Sequence, residues 1–152
     1  MTESKYYAPS IEEFHVGFEY EKYDERTATY AGEGSTNWHK HTYDLKSIRL
    51  SQLPSHLFEK TIRVKHLDRQ DIEECGWEYT SKTIDIWFKK EGMFHAISGG
   101  HKFTELKLHY GITDNCLFID AYFGGDREGR LFEGVIKNKS ELKTVMKMLK
   151  IC

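Results

Sequence analysis

The sequence predicts an α+β fold: a curved antiparallel sheet built as a meander, with one short mid-chain helix and a C-terminal helix packed on one face. Three observations predict it. Residues 104–110 alternate apolar and polar side chains with a period of two, Leu117, Ile119, Ala121 and Phe123 alternate with Phe118, Asp120 and Tyr122, and glycine-containing turns separate the runs. The stretch from Asp68 to Gly76 carries a capping aspartate at its start and a stop glycine at its end. Leu142, Val145, Met146 and Leu149 recur at i, i+3, i+4 and i+7, one apolar stripe of a helix.

Taken in order, Tyr6 to Ser10 is an extended arm, because Pro9 biases Ala8 away from helical backbone. Ile11-Glu12-Glu13 turns into a first strand, where Phe14, Val16, Phe18 and Tyr20 alternate with His15, Gly17, Glu19 and Glu21. Residues 23–34 are polar and hold Gly32 and Gly34, so a short strand and a loop are expected. Residues 37–47 form another strand, with Trp38, Lys40, Thr42 and Asp44 on one face and His39, His41, Tyr43 and Leu45 on the other. Residues 51–58 read as a surface turn. The central unit runs from Thr61 to Phe88 as strand, helical turn, strand: Ile62 and Val64 alternate with Arg63 and Lys65, Asp68 caps the turn with Asp71 at N3, and residues 83–88 alternate again. A turn at Glu91-Gly92 separates that strand from one over residues 93–97, and residues 98–101 form a loop. Turns at residues 111–115 and 124–129 complete the meander, whose last strand is 131–136. Asn138 caps the final helix, Glu141 completes a capping box, and Lys147 and Lys150 lie near its C-terminal end, where the dipole favours cations.

The chain has 152 residues, which predicts a single domain spanning 1–152. A net charge of −2 excludes bulk electrostatic attraction to nucleic acid or acidic lipid. No window approaches 18 apolar residues, so no membrane span is expected. Nor does an apolar run follow Met1 to Lys5, so no signal peptide is expected. Cys75, Cys116 and Cys152 are scattered and odd in number, which argues against disulfides and structural zinc; Cys75 and Cys116 read as small buried hydrophobes in a reducing cytoplasm.

Three segments also carry a resemblance. Residues 6–21 (YYAPSIEEFHVGFEYE), 62–77 (IRVKHLDRQDIEECGW) and 132–143 (FEGVIKNKSELK) resemble, in this order, a family of small uncharacterised proteins of Bacteroidetes and their phages. They cover about a third of the chain. The resemblance implies a phage or prophage setting in a bacterial cytoplasm and brings no activity with it.

No motif implies a cofactor. His39 and His41 share one side of a strand and are candidate metal ligands if His15, Glu19 or Glu21 supplies a third. His41-Thr42 and His101 to Thr104 lack the i, i+2 spacing that a two-His-x-Thr phosphoesterase needs. Ser98 to Lys102 and Gly124-Gly125-Asp126 read as loop and turn chemistry rather than phosphate cradles. The polar face of the sheet is the main candidate. If Ile62, Val64, Ile84, Ile86 and Phe88 face the core, Arg63, Lys65, Asp85 and Trp87 face away, joined by Phe118, Asp120 and Tyr122. Arg63, Lys65, Trp87, Tyr122 and Asp85 are therefore the candidate ligand-binding residues. They suit stacking on a flat ring with charge contacts to a phosphate, or a protein interface; a covering loop, or residues 1–13, is the structural alternative. The expected function is a non-enzymatic binding module for a host protein or a small nucleotide-like signal, with counter-defence as the biological setting the resemblance implies. A small phosphodiester hydrolase using His39, His41 and a carboxylate such as Glu19, and a virion-associated structural protein, are the alternatives. Open sheet edges would also allow a homo-oligomer.

Overall fold

In the computed structural model, residues 5–24, 37–44, 55, 61–80, 86–95, 102–111 and 113–151 are described; for Ile86, Trp87 and His95 only the backbone is. The chain divides into two compact units, Met1–His66 and Leu67–Cys152.

The first unit holds a four-stranded antiparallel sheet of order β1-β4-β2-β3, made of β1 (Tyr6–Tyr7), β2 (Glu19–Tyr23), β3 (Trp38–Thr42) and β4 (Ile62–Lys65). Its core is aromatic: Phe18, Tyr20, Tyr43, Ile62 and Val64 are buried, with Tyr7 and Phe14 packed against them. The alternation predicted over residues 14–21 holds only from Glu19 onward. Before that, the Phe18 N–H bonds the His15 carbonyl at 2.9 Å, and Gly17 takes φ +92°. This is a turn with glycine third, the pattern of type II. Val16, expected in the core, sits on the turn and is 65% exposed. Ile11–Glu13 is a 3₁₀ turn in which Glu13 accepts from the Ser10 N–H at 3.0 Å and from the Tyr7 hydroxyl at 2.5 Å.

The second unit holds a five-stranded antiparallel sheet in chain order: β5 (Glu78–Tyr79), β6 (Ile86–His95), β7 (Lys102–Tyr110), β8 (Cys116–Phe123) and β9 (Asp126–Val135). Two helices, α1 (Arg69–Glu74) and α2 (Lys139–Met148), belong to the same unit. Leu106, Leu108, Tyr110, Leu117, Ile119 and Ala121 point to one face, where they form a core with Ile72, Trp77, Leu142, Val145 and Met146. The Trp77 indole donates to Met146 Sδ at 3.4 Å, joining the segment after α1 to α2.

The fold class is therefore α+β with the two expected helices, but the expected single curved sheet is two sheets. β4 pairs with β1 on one side and β2 on the other, so both of its edges are filled and β6 cannot join it. The Thr61–Phe88 unit consequently straddles the two units. Alternation in sequence reveals that a strand has a buried face; it does not reveal which core the face meets. Gly92 corrects a second expectation. β6 runs unbroken through it, with a bulge between Glu91 and Phe94 in place of a turn, and the Phe94 ring lies 3.2 Å from where a Cβ on Gly92 would sit. The turn after Phe123 is tighter than expected: Gly124 and Gly125, at φ +60° and +97°, close a two-residue hairpin, and Phe123, expected on the face of Leu117, Ile119 and Ala121, flanks it and is exposed. The readings of residues 25–36, 45–47, 83–85 and 96–101, and of 51–58 apart from Ser55, lie outside the described residues. Cys75 and Cys116 form no disulfide and are half-buried, not fully buried.

Both helices follow their capping signals. Asp68 accepts from the Asp71 N–H at 3.1 Å and Asp71 accepts from the Asp68 N–H at 3.3 Å, a full capping box. Asn138 caps α2 by accepting from the Glu141 N–H at 3.0 Å, whereas the Glu141 carboxylate reaches one residue further back, to the Lys137 N–H. Each helix ends in the same pair of reversed bonds: Gly76 N–H to Glu73 O with Trp77 N–H to Ile72 O, and Lys150 N–H to Lys147 O with Ile151 N–H to Met146 O. The motif needs a left-handed residue. Gly76 supplies it at φ +82°, but Lys150 takes φ +55° with a Cβ in place. Lys150→Gly is expected to raise the thermal stability of the second unit by about 1 kcal/mol. An unchanged or lowered melting temperature would count against this reading of the α2 terminus.

Candidate functional site

On β8, the residues that alternate with the core set are Cys116, Phe118, Asp120 and Tyr122, and their register partners continue the outward face. Opposite Phe118 lie His109 and Glu133; opposite Asp120 lie Lys107 and Arg130; opposite Tyr122 lie Glu105 and Arg127. Trp87 and Lys89 extend the first two rows onto β6.

The β9 side of this face depends on two irregularities. Ile119 pairs with Phe132 and Asp120 with Arg130, so Leu131 is an extra residue; Ala121 pairs with Gly129 and Tyr122 with Arg127, so Glu128 is another. A regular strand would put side chains alternately on the two faces, and Arg130 would share a face with Phe132, toward the core. The bulge at Leu131 turns Arg130 outward, and the second, at Glu128, returns Arg127 to the same face.

Both arginines converge on one oxygen. Arg127 Nη2 and Arg130 Nε each donate to Asp120 Oδ1 at 3.0 Å, and Arg130 Nη1 also pairs with Glu133 at 2.7 Å. The Arg130 guanidinium lies 4.3 Å from the Phe118 ring centroid, and that ring stacks on His109 at 5.5 Å. Next to them, Lys107 Nζ sits 4.0 Å from the centre of the Tyr122 ring and 3.2 Å from Glu105, while Lys89 bridges Glu91 and Glu78 at 2.8 and 3.5 Å. The Asp120 side chain is only 11% exposed, while Arg127 and Arg130 remain 49% and 38% exposed. Burial opposes ionisation of Asp120, but hydrogen bonds and charge from the two arginines outweigh it and hold its carboxyl below the ordinary value.

The sign of the pH effect follows. A depressed carboxyl stabilises the fold fully above its unfolded pKa of about 3.9 and loses that contribution as pH falls through the lower folded value. Asp120→Asn is expected to cost about 1 kcal/mol above pH 5, a figure kept small by the exposure of both arginines. The difference from wild type should vanish at the acid end of a pH-stability series. An equal deficit at every pH would mean that packing, not charge, is what the substitution removes.

The other candidate residues are distributed as follows. Arg63 and Lys65 lie on β4, in the four-stranded sheet of the first unit, whereas Trp87 and Tyr122 belong to the five-stranded sheet, so the five residues do not form a single sheet face. Arg63 is already engaged by Glu21, Tyr6 and Trp38, and Lys65 is half-buried opposite Tyr6. Trp87 holds the register position opposite His109, with its side chain outside the described residues, as is all of Asp85. His39 and His41 do share a face, opposite Lys22 and Tyr20; Glu19 and Glu21 pair with Thr42 and Lys40 on the other face. The carboxylates assigned to a histidine metal or hydrolase site are thus turned away from it. Among the described residues no three His, Cys, Asp or Glu side chains gather as a metal site, and no helix is long and apolar enough to cross a membrane.

No family model, curated protein or solved structure matches the chain. The outward face must therefore be interpreted from its own chemistry. Arg127 and Arg130 are absent from the expected binding residues, because Arg127 lies in the stretch expected as a turn and Arg130 between that turn and the strand expected over 131–136. Their signal was the spacing Arg127, Arg130, Glu133: charged groups three apart, which a strand can bring to one face only through bulges.

Proposed function

We propose that the chain is a non-enzymatic binding module that engages a protein partner through the outward face of β7, β8 and β9. The observation that carries this reading is the pair of exposed arginines fixed on Asp120 beside Phe118 and Tyr122. Arginine and tyrosine dominate interface hot spots, and side chains already held in one geometry lose less entropy on binding. Charge balance favours a protein over a nucleotide-like ligand. Among the described residues of this face, Lys89, Lys107, Arg127 and Arg130 each have a carboxylate partner within the face. A phosphate would have to displace those partners, whereas a mixed protein surface can exchange contacts with them. The family resemblance supplies the rest of the proposal: a phage-borne protein acting in the bacterial cytoplasm on a host protein, in a counter-defence setting. β9 is an edge strand, but its two bulges and its charged residues are features that discourage pairing with a second copy.

The test is affinity capture from a Bacteroidetes host lysate, comparing wild type with the Arg127→Glu/Arg130→Glu double variant. The variant is expected to lose a wild-type-specific host protein and, once that protein is purified, to bind it at least about 30-fold more weakly, the scale of one hot spot. Equal capture by a circular-dichroism-matched double variant would remove this face from the reading.

A further inference from the structure

The first unit contains a built cation site on its outward face. Glu21 on β2 is the register partner of Arg63 on β4, and Arg63 donates to Glu21 Oε2 from Nε at 2.8 Å and from Nη2 at 2.7 Å. The flat guanidinium has a ring on either hand: its carbon lies 3.8 Å from the Tyr6 centroid and 4.1 Å from the Trp38 centroid. Tyr6 on β1 is the register partner of Lys65 and so reaches Arg63 along a sheet diagonal, whereas Trp38 on β3, the partner of Tyr23, reaches Arg63 across the intervening β2. The Trp38 ring is held in turn by an edge contact with Tyr23 at 5.4 Å. Only 27% of the Arg63 side chain and 15% of the Glu21 side chain is exposed. Two π faces and a carboxylate around one cation are the elements of an aromatic cage. Here each of the four strands contributes one of its four groups.

We propose that Tyr6, Glu21 and Trp38 form a guanidinium cage whose built-in ligand, Arg63, docks the N-terminal strand onto the sheet, and that the emptied cage takes a free planar cation. The strand it fastens is only two residues long. Outside the sheet ladder it is also held by the His66 N–H to Lys5 carbonyl bond at 3.0 Å and by Tyr7, which packs on the aromatic core, lies 4.7 Å from the His66 ring and donates its hydroxyl to Glu13. So short a strand has little pairing of its own to hold it, and the cage is the side-chain contact that spans from it to β3. A planar ion is favoured over a tetrahedral ammonium because it can lie flat against both rings while its edge meets the carboxylate.

Amide exchange in the full chain tests this. The His66 amide reports strand docking, and the Tyr43 amide, bonded to the Phe18 carbonyl at 2.7 Å, reports the rest of the sheet. In Arg63→Ala, His66 exchange is expected to quicken at least tenfold while Tyr43 holds. Millimolar methylguanidinium should restore His66 protection, and methylammonium should not. Wild type should be unaffected by either ion, because its own arginine is already at high effective concentration. Unchanged His66 exchange in Arg63→Ala, or no difference between the two ions, would overturn the proposal. If Arg63→Ala also loses Tyr43 protection, Tyr6→Leu takes its place; this leaves the Arg63–Glu21 pair intact. It should quicken His66 exchange without touching Tyr43, and unchanged His66 exchange there is equally decisive against the cage.

Discussion

Removal of residues 139–152 is expected to leave the second unit unfolded. The segment brings Leu142, Val145, Met146 and Ile151 into the core, all buried. Burying each is worth about 1.5–3 kcal/mol, so the four together contribute about 6–12 kcal/mol. That is comparable with the whole net stability of a folded protein, about 5–15 kcal/mol. The loss is larger than the apolar sum, because Trp77 also loses the sulfur its indole donates to and α1 loses the ion pair from Lys139 to Glu74. Amide exchange over β7 and β8 in the truncated chain is the measurement, and protection that survives there would refute the prediction. Leu142→Ala is the graded version. It should cost about 2–5 kcal/mol and still fold, since it removes one side chain and leaves the helix.

That helix was also the most legible part of the sequence. Asn138, the stripe from Leu142 to Leu149, and the alternation of β7 and β8 are local patterns, and local patterns survive into the fold because the same side chains that create them are buried. The mid-chain helix was legible for the same reason, through Asp68, Asp71 and Gly76. What the sequence hid was partnership over distance. Ile62 and Phe88 are both buried strand residues, and nothing in their local pattern says that one joins an aromatic core with Phe18 while the other joins Leu108 and Ile119. For the same reason no local pattern tells that Arg63 belongs to the four-stranded sheet and Tyr122 to the five-stranded one. The arginines of β9 were hidden by a different effect. Their orientation is set by two extra residues, Leu131 and Glu128, and a bulge is defined by pairing with another strand rather than by the strand that carries it.

Phe18→Ala is expected to cost the first unit about 3–5 kcal/mol, and Val16→Ala less than about 0.5 kcal/mol. The contrast isolates the turn at Gly17. A single strand from Phe14 to Tyr20 would put Phe14, Val16, Phe18 and Tyr20 on one buried face, and both substitutions would be costly. The turn instead folds Phe14 back to within 4.9 Å of the Phe18 ring, leaves Val16 in solvent and sends Phe18 into full burial. Phe14 then also meets Tyr20 and Tyr43, each at 5.7 Å, so the small core is a ring cluster closed over itself. Aromatic pairs of this kind add about 0.5–1.5 kcal/mol beyond area, which places Phe18→Ala toward the upper end of its range. Exchange at the Tyr43 amide reads the result directly, because its acceptor is the Phe18 carbonyl and its own carbonyl accepts from Gly17. Gly17 is the residue that makes this possible. At φ +92° a side chain there would be strained whatever space surrounds it, so Gly17→Val should also weaken Tyr43 protection while Val16→Ala leaves it intact. Equal losses at positions 16 and 18 would restore the continuous strand and remove the turn.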